Sequence, residues 1–379
     1  MTGIRPLHIA KFVPPPYAGV EAHADTLLRA LLPEVQGTLV AGESPAGRSH
    51  VEPAPYRMIQ ARAFGRLASV TLSPGVLQHA RAELRSGRCN LLHVHAPNPW
   101  GDLAALACGR DVPVVMTWHS DIVRQRLLLK AYRPIQRRAV LRADRIVVFT
   151  PNHYASSEQL HQVDVAAKVV QVPIGIDFDR LDPAGADAQL RERLQAFSRG
   201  RPLALTVGRH VYYKGYGYLL SAMARVRSEA VLVMIGAGAL TQELVRQVDE
   251  LGLRERVLFL GEVGNAQLTA AMHACDFFCL PSIEPSEAFG IASAEAMSCG
   301  KPTIVCELGN GVNYLNRAGV TSLTVPPRDV AALADAIDTL ASDAGLRARM
   351  GAAAVRWAHD EFSVAAMKRG MTALYRSLL

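Results

Sequence analysis

The strongest constraint on this chain is an alternation that runs through it twice. Short apolar, β-prone runs at residues 7–13, 37–42, 91–97, 112–119, 145–150 and 168–175 are separated by helix-length stretches such as 21–32, 72–86 and 122–143. After a polar segment rich in Asp, Ala and Arg at 177–201, the pattern restarts at 203–208, 230–238, 256–263, 276–282, 301–306 and 322–327. Strands that alternate with helices in this way form parallel α/β layers. The expectation is therefore two doubly wound α/β domains joined near 177–200. Ligands of such sheets bind beyond the carboxyl ends of the strands, so a cleft between the two sheets is the expected active site. With 379 residues, half of them hydrophobic, the chain has material for two cores.

No apolar run reaches the roughly 18 to 20 residues of a membrane-spanning helix. The first residues, MTGIRPLHIAKFV, lack a basic-then-apolar targeting segment, and a cytoplasmic protein is expected. Cysteines at 89, 108, 275, 279, 299 and 306 contain no Cys-x-x-Cys pair, which favours reduced, buried thiols over zinc knuckles or redox motifs. Charge is informative by position. Residues 1–180 carry 21 Lys/Arg against 14 Asp/Glu, whereas 181–379 carry 20 of each. Eight cations, Arg124, Arg126, Lys130, Arg133, Arg137, Arg138, Arg142 and Arg145, crowd one segment that only Asp144 opposes. Beside Leu127, Leu128 and Leu129 they suit an anionic membrane surface, with a solvated helix face as the alternative. A run of interleaved aromatics for stacking bases is lacking, so no nucleic-acid partner is expected. Pro134 should kink or break any single helix here.

Chemistry-bearing groups gather at the predicted strand ends. In 206-TVGRHVYYKGYGYLL-220, Arg209 and Lys214 follow a strand and could clamp a diphosphate through charge-assisted hydrogen bonds, or be two surface cations. The spacing is not that of a Walker A loop. In 14-PPPYAGVEAHADTLL-28, Gly19 precedes a helix expected near Glu21 and would let backbone amides approach an anion, and Pro14, Pro15 and Pro16 stiffen the approach. Glycine is too sparse there for a dinucleotide fingerprint. In 112-VPVVMTWHSDIV-123, His119 ends a strand, where it can bind a sugar hydroxyl or serve the fold alone. His93 and His95 share a strand face, but no carboxylate or cysteine stands at ligand spacing, and no metal is expected. Finally, 281-PSIEPSEAFGIASAEAMSCGKP-302 sets Glu287 and Glu295 on either side of a bare Phe289-Gly290-Ile291 backbone, with a helix expected just after Gly290.

Taken together, Glu287 to Glu295, Val207-Gly208-Arg209 with Lys214-Gly215, Gly19-Val20-Glu21 and Trp118-His119-Ser120-Asp121 resemble the retaining glycosyltransferases of family 4, over nearly the whole chain. The wording of Gly-Arg-His-Val-Tyr-Tyr-Lys-Gly and Ser-Glu-Ala-Phe-Gly-Ile is similar to that of bacterial mannosyl- and rhamnosyltransferases of O-antigen or related polysaccharide. The resemblance implies a GT-B fold, two Rossmann-like domains facing across a cleft. Residues 1–176 would form the acceptor side and 177–362 the donor side, with a last helix at about 363–379 packing back on the first domain. The reaction implied is transfer of a hexose from a nucleoside-diphosphate sugar, GDP-linked, to a lipid-linked saccharide, with neither cofactor nor metal. A GT-B sugar-nucleotide epimerase or a catalytically silent nucleotide-sugar-binding scaffold is the alternative.

Residue by residue, the resemblance implies that Glu287 meets the donor sugar, that the amides of Phe289, Gly290 and Ile291 lie against sugar and phosphate, and that Glu295 holds the ribose. Arg209 and Lys214 would neutralise the departing diphosphate, His119 would lie near the donor sugar, and Gly19 would give close access. Glu284 competes with Glu287, although spacing to Phe289-Gly290 favours Glu287. The chain has Ala18-Gly19 where the family has paired glycines, and Ala288 where many members have glycine. A lipid-linked acceptor implies residence at the inner face of the cytoplasmic membrane, through Arg124, Arg126, Lys130 and Arg133.

Overall fold

The computed structural model describes residues 3–13, 19–43, 53–67, 70–122 and 126–379. The chain divides into two compact units, Met1–Gly175 with Val364–Leu379, and Ile176–Ser363. The first contains a seven-stranded sheet in the order Arg57–Ala61, Thr38–Gly42, Pro6–Phe12, Leu91–Ala96, Val114–Trp118, Arg145–Val148, Val169–Gln171. Every pairing in it is parallel. Side chains alternate between the faces of a strand, and here the two faces differ in character. Leu7, Ile9, Leu92, Val94, Val114 and Met116 line one face and pack beneath the helices Gly75–Arg85, Pro99–Ala107 and Arg126–Arg142. The other face carries Leu91, Val115 and Val147 against Leu27 and Leu31 of the helix Gly19–Leu31 and Met367, Met371 and Tyr375 of the helix Val364–Arg376. Those apolar anchors hold the last helix of the chain on the first unit. On the same face His8, His93 and His95 replace apolar residues, and all three are fully buried.

Pro134 does not break its helix. Arg126–Arg142 is one helix with Pro134 inside it and exposed, so of the expected kink or break the break does not occur. Buried Ala139 and Val140 anchor its second half. The first half is tied by Tyr132, whose hydroxyl donates to Asp102 on the helix Pro99–Ala107. Tertiary contacts thus offset the hydrogen bond that proline removes.

The second unit contains a six-stranded parallel sheet ordered Val257–Gly261, Val231–Ile235, Leu203–Val207, Phe277–Leu280, Thr303–Cys306, Ser322–Val325. The order reverses between Leu203–Val207 and Phe277–Leu280, and the crevice at such a reversal is where doubly wound sheets bind ligands. The polar stretch 177–200, expected to join the domains, lies wholly in this unit, and its helix Ala188–Ser198 buries Leu190 and Leu194 in the core. No helix among the described residues is long and apolar enough to cross a membrane. Cys89, Cys275, Cys279 and Cys306 are buried, Cys108 and Cys299 are partly so, and all six are free thiols.

Candidate active site

The reversal point of the second sheet gathers most of the residues singled out from the sequence. From strand Leu203–Val207 the chain passes Gly208 and Arg209, makes a single turn at Tyr212–Lys214, and enters the helix Tyr216–Met223 through Gly215 in the left-handed conformation. A side chain at Gly215 would stand 2.1 Å from the carbonyl oxygen of Pro281, so only glycine lets this turn lie against the next loop. That loop, after strand Phe277–Leu280, is held to the turn by the Ile283 amide donating to the Tyr213 carbonyl at 2.8 Å.

Between these two loops sits an ion pair. Lys214 Nζ lies 2.6 Å from Glu287 Oε2, each side chain only 12% exposed. Ser282 Oγ donates to the same carboxylate oxygen at 3.0 Å, and Asn310 Nδ2 donates to the Glu287 carbonyl at 2.7 Å. Glu287 is therefore fixed at side chain and backbone. Glu284 instead pairs with Arg328 at 3.4 Å nearer the surface, so the two glutamates occupy different environments. Arg209 is exposed and has no ion pair among the described residues. Of the two expected clamp cations, Lys214 is thus largely buried and engaged, and Arg209 is exposed with no ion pair among the described residues.

Beyond Glu287 the helix Ile291–Ser298 starts where the sequence placed it. Gly290 caps it in the left-handed conformation, with no side chain capping its first amides. A helix start left in this state presents backbone donors and the positive end of its dipole to an anion. Ile291 is exposed there, whereas the Phe289 ring turns inward onto Phe362, 5.3 Å between centroids. Only the backbone of Phe289 is left for a ligand. Glu295 lies one turn on, buried, with its basicity raised by burial and opposed by the partner it has found, Arg180. Arg180 also donates to Asn265 Oδ1 at 3.1 Å.

In the first unit, Gly19 opens the helix Gly19–Leu31, and no atom of the described residues would lie within 4 Å of a side chain there. Residues 14–18 lie outside the described residues, and the expectations for Pro14, Pro15, Pro16 and Ala18 with them. His119 follows strand Val114–Trp118, its amide bonded to the Ala96 carbonyl at 2.9 Å. Its Nε2 stands 3.1 Å from His95 Nδ1. His95 Nε2 is 3.1 Å from His8 Nδ1, His8 Nε2 is 3.2 Å from the Tyr375 hydroxyl, and that hydroxyl is 2.5 Å from His93 Nδ1. Burial lowers the basicity of all of them, His8 to about 3 and the neighbouring His23 to about 4. At neutral pH this is an uncharged chain of imidazoles.

Sequence reasoning missed Arg180, Ser282 and Asn310. The flanking glycines of Leu308-Gly309-Asn310-Gly311 signal a turn with a capping asparagine, and Asn310 does cap the helix Gly311–Leu315. Nothing local marks Arg180 as the partner of a residue 115 positions away.

Residues 190–357 match the family described as glycosyl transferases group 1, and residues 17–180 match glycosyltransferase family 4. The D-rhamnosyltransferase WbpZ of Pseudomonas aeruginosa is 38% identical over 281 residues, 73% of this chain and 70% of that protein. The O-antigen chain mannosyltransferase C of Escherichia coli is 32% identical over 325 residues, 86% of this chain and 84% of that one. Among solved structures, the sucrose-phosphate synthase of Thermosynechococcus elongatus superposes with a TM-score of 0.78 at 22% identity, covering 99% of each chain. Anabaena HepE in complex with UDP and glucose gives a TM-score of 0.75 at 20% identity, over 99% of this chain and 100% of that one.

Proposed function

The chain belongs to family 4 of the glycosyltransferases and has the GT-B fold, and from that premise we propose its reaction. It transfers a hexose of the mannose or rhamnose type from a GDP-linked donor to a lipid-linked saccharide in cell-surface polysaccharide synthesis, with retention at the anomeric carbon. The observation that carries this reading is the Lys214–Glu287 pair beside an uncapped helix start and an exposed Arg209. The bond between C1 and the diphosphate breaks as the acceptor oxygen attacks from the same face. The departing diphosphate oxygen takes the acceptor's proton. Arg209, Lys214 and the amides of Gly290 and Ile291 receive the growing charge, and the reading needs no divalent metal. Glu287, already bonded to Lys214 and Ser282, orients sugar hydroxyls and is not a nucleophile. Glu295 takes the ribose, sharing its carboxylate with Arg180. His119 serves the donor sugar, and Gly19 gives the leaving group or acceptor close access. The relatives above are named as transferases, which favours neither an epimerase nor a silent scaffold.

A thermal-shift panel tests the donor. A ligand at a hundred times its dissociation constant stabilises the folded state by about 2.7 kcal/mol. GDP should raise the melting temperature more than UDP, ADP or dTDP, and Glu295→Gln should reduce that shift. Stabilisation by UDP alone would remove the mannose or rhamnose assignment and leave the transferase.

The same reading puts the acceptor at the inner face of the cytoplasmic membrane. Arg124 lies outside the described residues, and of Arg126 only the backbone is described. Arg142 and Arg145 are not free for lipid, since they bond the carbonyls of Gly109, Val112 and Asp144. Lys130, Arg137 and Arg138 are exposed, with Arg133 half-buried. At about 1 kcal/mol per cation near an anionic surface, such a set supports reversible, salt-sensitive binding. The protein should co-sediment with phosphatidylserine vesicles and not with phosphatidylcholine vesicles. Changing Arg124, Arg126, Lys130 and Arg133 to Gln should weaken that binding; equal partition to both vesicles would return the segment to a solvated helix face.

A further inference from the structure

The buried histidines of the first unit are not alike. His8 and His93 have both ring nitrogens occupied, by His95, Tyr375 and Thr117. His23, on the helix Gly19–Leu31, is just as secluded, 4% exposed, yet neither of its ring nitrogens has a hydrogen-bond partner among the described residues. A buried polar group left this way requires an explanation, and a bound ion is one of the standard ones. The His23 ring stands edge-on to His119 and His95, at centroid separations of 5.2 and 5.9 Å. One nitrogen from each of the three lies within 4.8 Å of the others.

We propose that His23, His95 and His119 form a binding site for one divalent transition-metal ion of the zinc class. The 3.1 Å between His95 Nδ1 and His119 Nε2 is close to the edge of about 3.3 Å that metal–nitrogen bonds of about 2.0 Å span in a tetrahedral site. A side-chain adjustment of His23, whose nitrogen lies within 4.8 Å of the other two, completes a three-imidazole face, with the fourth position left to water or an anion. Imidazoles without carboxylates select zinc, cobalt, nickel or copper over magnesium and calcium.

The surrounding hydrogen bonds have the polarity such a site needs. With a metal on His95 Nδ1, the proton of that ring sits on Nε2 and is donated to His8 Nδ1. His8 Nε2–H then donates to the Tyr375 hydroxyl, which donates to His93 Nδ1, and His93 Nε2–H donates to Thr117 Oγ1. One consistent set of tautomers runs from the ligand to the last helix of the chain. Partners that fix the tautomer of a ligating histidine in this way are a regular part of metal sites. Occupancy would take up the His119 imidazole, so on the reaction proposed above the metal is an inhibitor; binding itself does not depend on that reading.

The test uses the full-length, tag-free, chelator-treated protein and cobalt(II) alone. The visible absorption of nitrogen-ligated cobalt of low coordination number should appear and saturate at one equivalent. Zinc(II) should bleach it and magnesium(II) should not. His23→Ala and His119→Ala, each checked for fold by circular dichroism, should lose the band. His8→Phe, which removes the acceptor orienting His95, should weaken cobalt binding roughly 10- to 100-fold. No band in the folded wild type, or a band unchanged in either folded alanine variant, overturns the site. Cobalt binding by a protein that transfers no sugar leaves the site standing and removes only the proposed reaction.

Discussion

Arg209→Ala should lower kcat by two to three orders of magnitude while the melting temperature stays at the wild-type value. The guanidinium is exposed and has no ion pair among the described residues, so the fold loses nothing when it is removed. A preorganised donor aimed at charge that develops in the transition state is worth about 3 to 4 kcal/mol. Lys214→Ala should lower kcat at least as far, but at a cost to the fold, because it strands the Glu287 carboxylate in a site 12% exposed. Breaking one side of a buried pair costs about 3 to 5 kcal/mol, and partial access to water and the Ser282 hydroxyl will reduce this. Adding Glu287→Gln to Lys214→Ala removes the stranded charge. The double variant should regain much of the stability, which assigns the stability loss of Lys214→Ala to the stranded carboxylate rather than to the lysine's absence from the fold. Near-wild-type turnover in Arg209→Ala would show that this cation only decorates the surface.

Replacing Asp102 with Asn should change the pH dependence of stability in the first unit, with no effect on the chemistry assigned to the second. Burial raises the Asp102 carboxyl to about 7 from its ordinary 3.8, and the donated Tyr132 hydroxyl only partly opposes the rise. Below about 3.8 both folded and unfolded chains carry the proton. Between about 3.8 and 7 the unfolded state has lost it and the folded state retains it, so stability falls as pH rises. Above 7 both are ionised and the full cost stands, roughly 4 kcal/mol at about 1.4 kcal/mol per pH unit. Asn keeps an oxygen for Tyr132 and cannot ionise. The stability of Asp102→Asn relative to wild type should therefore grow by roughly 3 kcal/mol between pH 5 and 8. Hydrogen exchange of peptides from the helices Pro99–Ala107 and Arg126–Arg142 reads this locally. A difference that does not change with pH would mean that the buried carboxyl is already compensated.

The nine central strands were legible as apolar runs because central parallel strands are buried on both faces and must be apolar almost throughout, and three edge strands, Val169–Gln171, Val257–Gly261 and Ser322–Val325, were apolar enough to be read as well. The strand Arg57–Ala61 was not. It lies at the edge of its sheet, and its sequence, RMIQA, carries the polar residues that an edge position tolerates. The helix start after Gly290 was readable because a left-handed residue there strongly favours glycine. The helix runs on through Pro134 because the local cost is offset by Tyr132, Ala139 and Val140, tertiary contacts that pattern reasoning does not see.

The site divides the same way. Glu287 and Lys214 could be named separately as strand-end residues, but their pairing follows from the strand order, which brings the ends of Leu203–Val207 and Phe277–Leu280 side by side. Arg180 comes from the polar stretch before the second sheet and reaches Glu295 only once Asn265 and its helix are in place. His93 and His95 could be seen to share a face. That His8, His23, His119 and Tyr375 join them depends on which strands and helices are neighbours, a property of topology.

The most direct test of retaining transfer is time-resolved proton NMR of the anomeric signals. The protein would be given an α-linked nucleoside-diphosphate hexose, GDP-mannose first, and a synthetic polyprenyl-diphosphate-linked oligosaccharide as acceptor. The account predicts that the first glycoside to appear carries the α configuration of the donor, forms only with acceptor present, and forms at least a hundredfold more slowly with Arg209→Ala, as about 3 kcal/mol of lost stabilisation requires. A first product of inverted configuration, or an epimerised nucleotide sugar accumulating without acceptor, would contradict it.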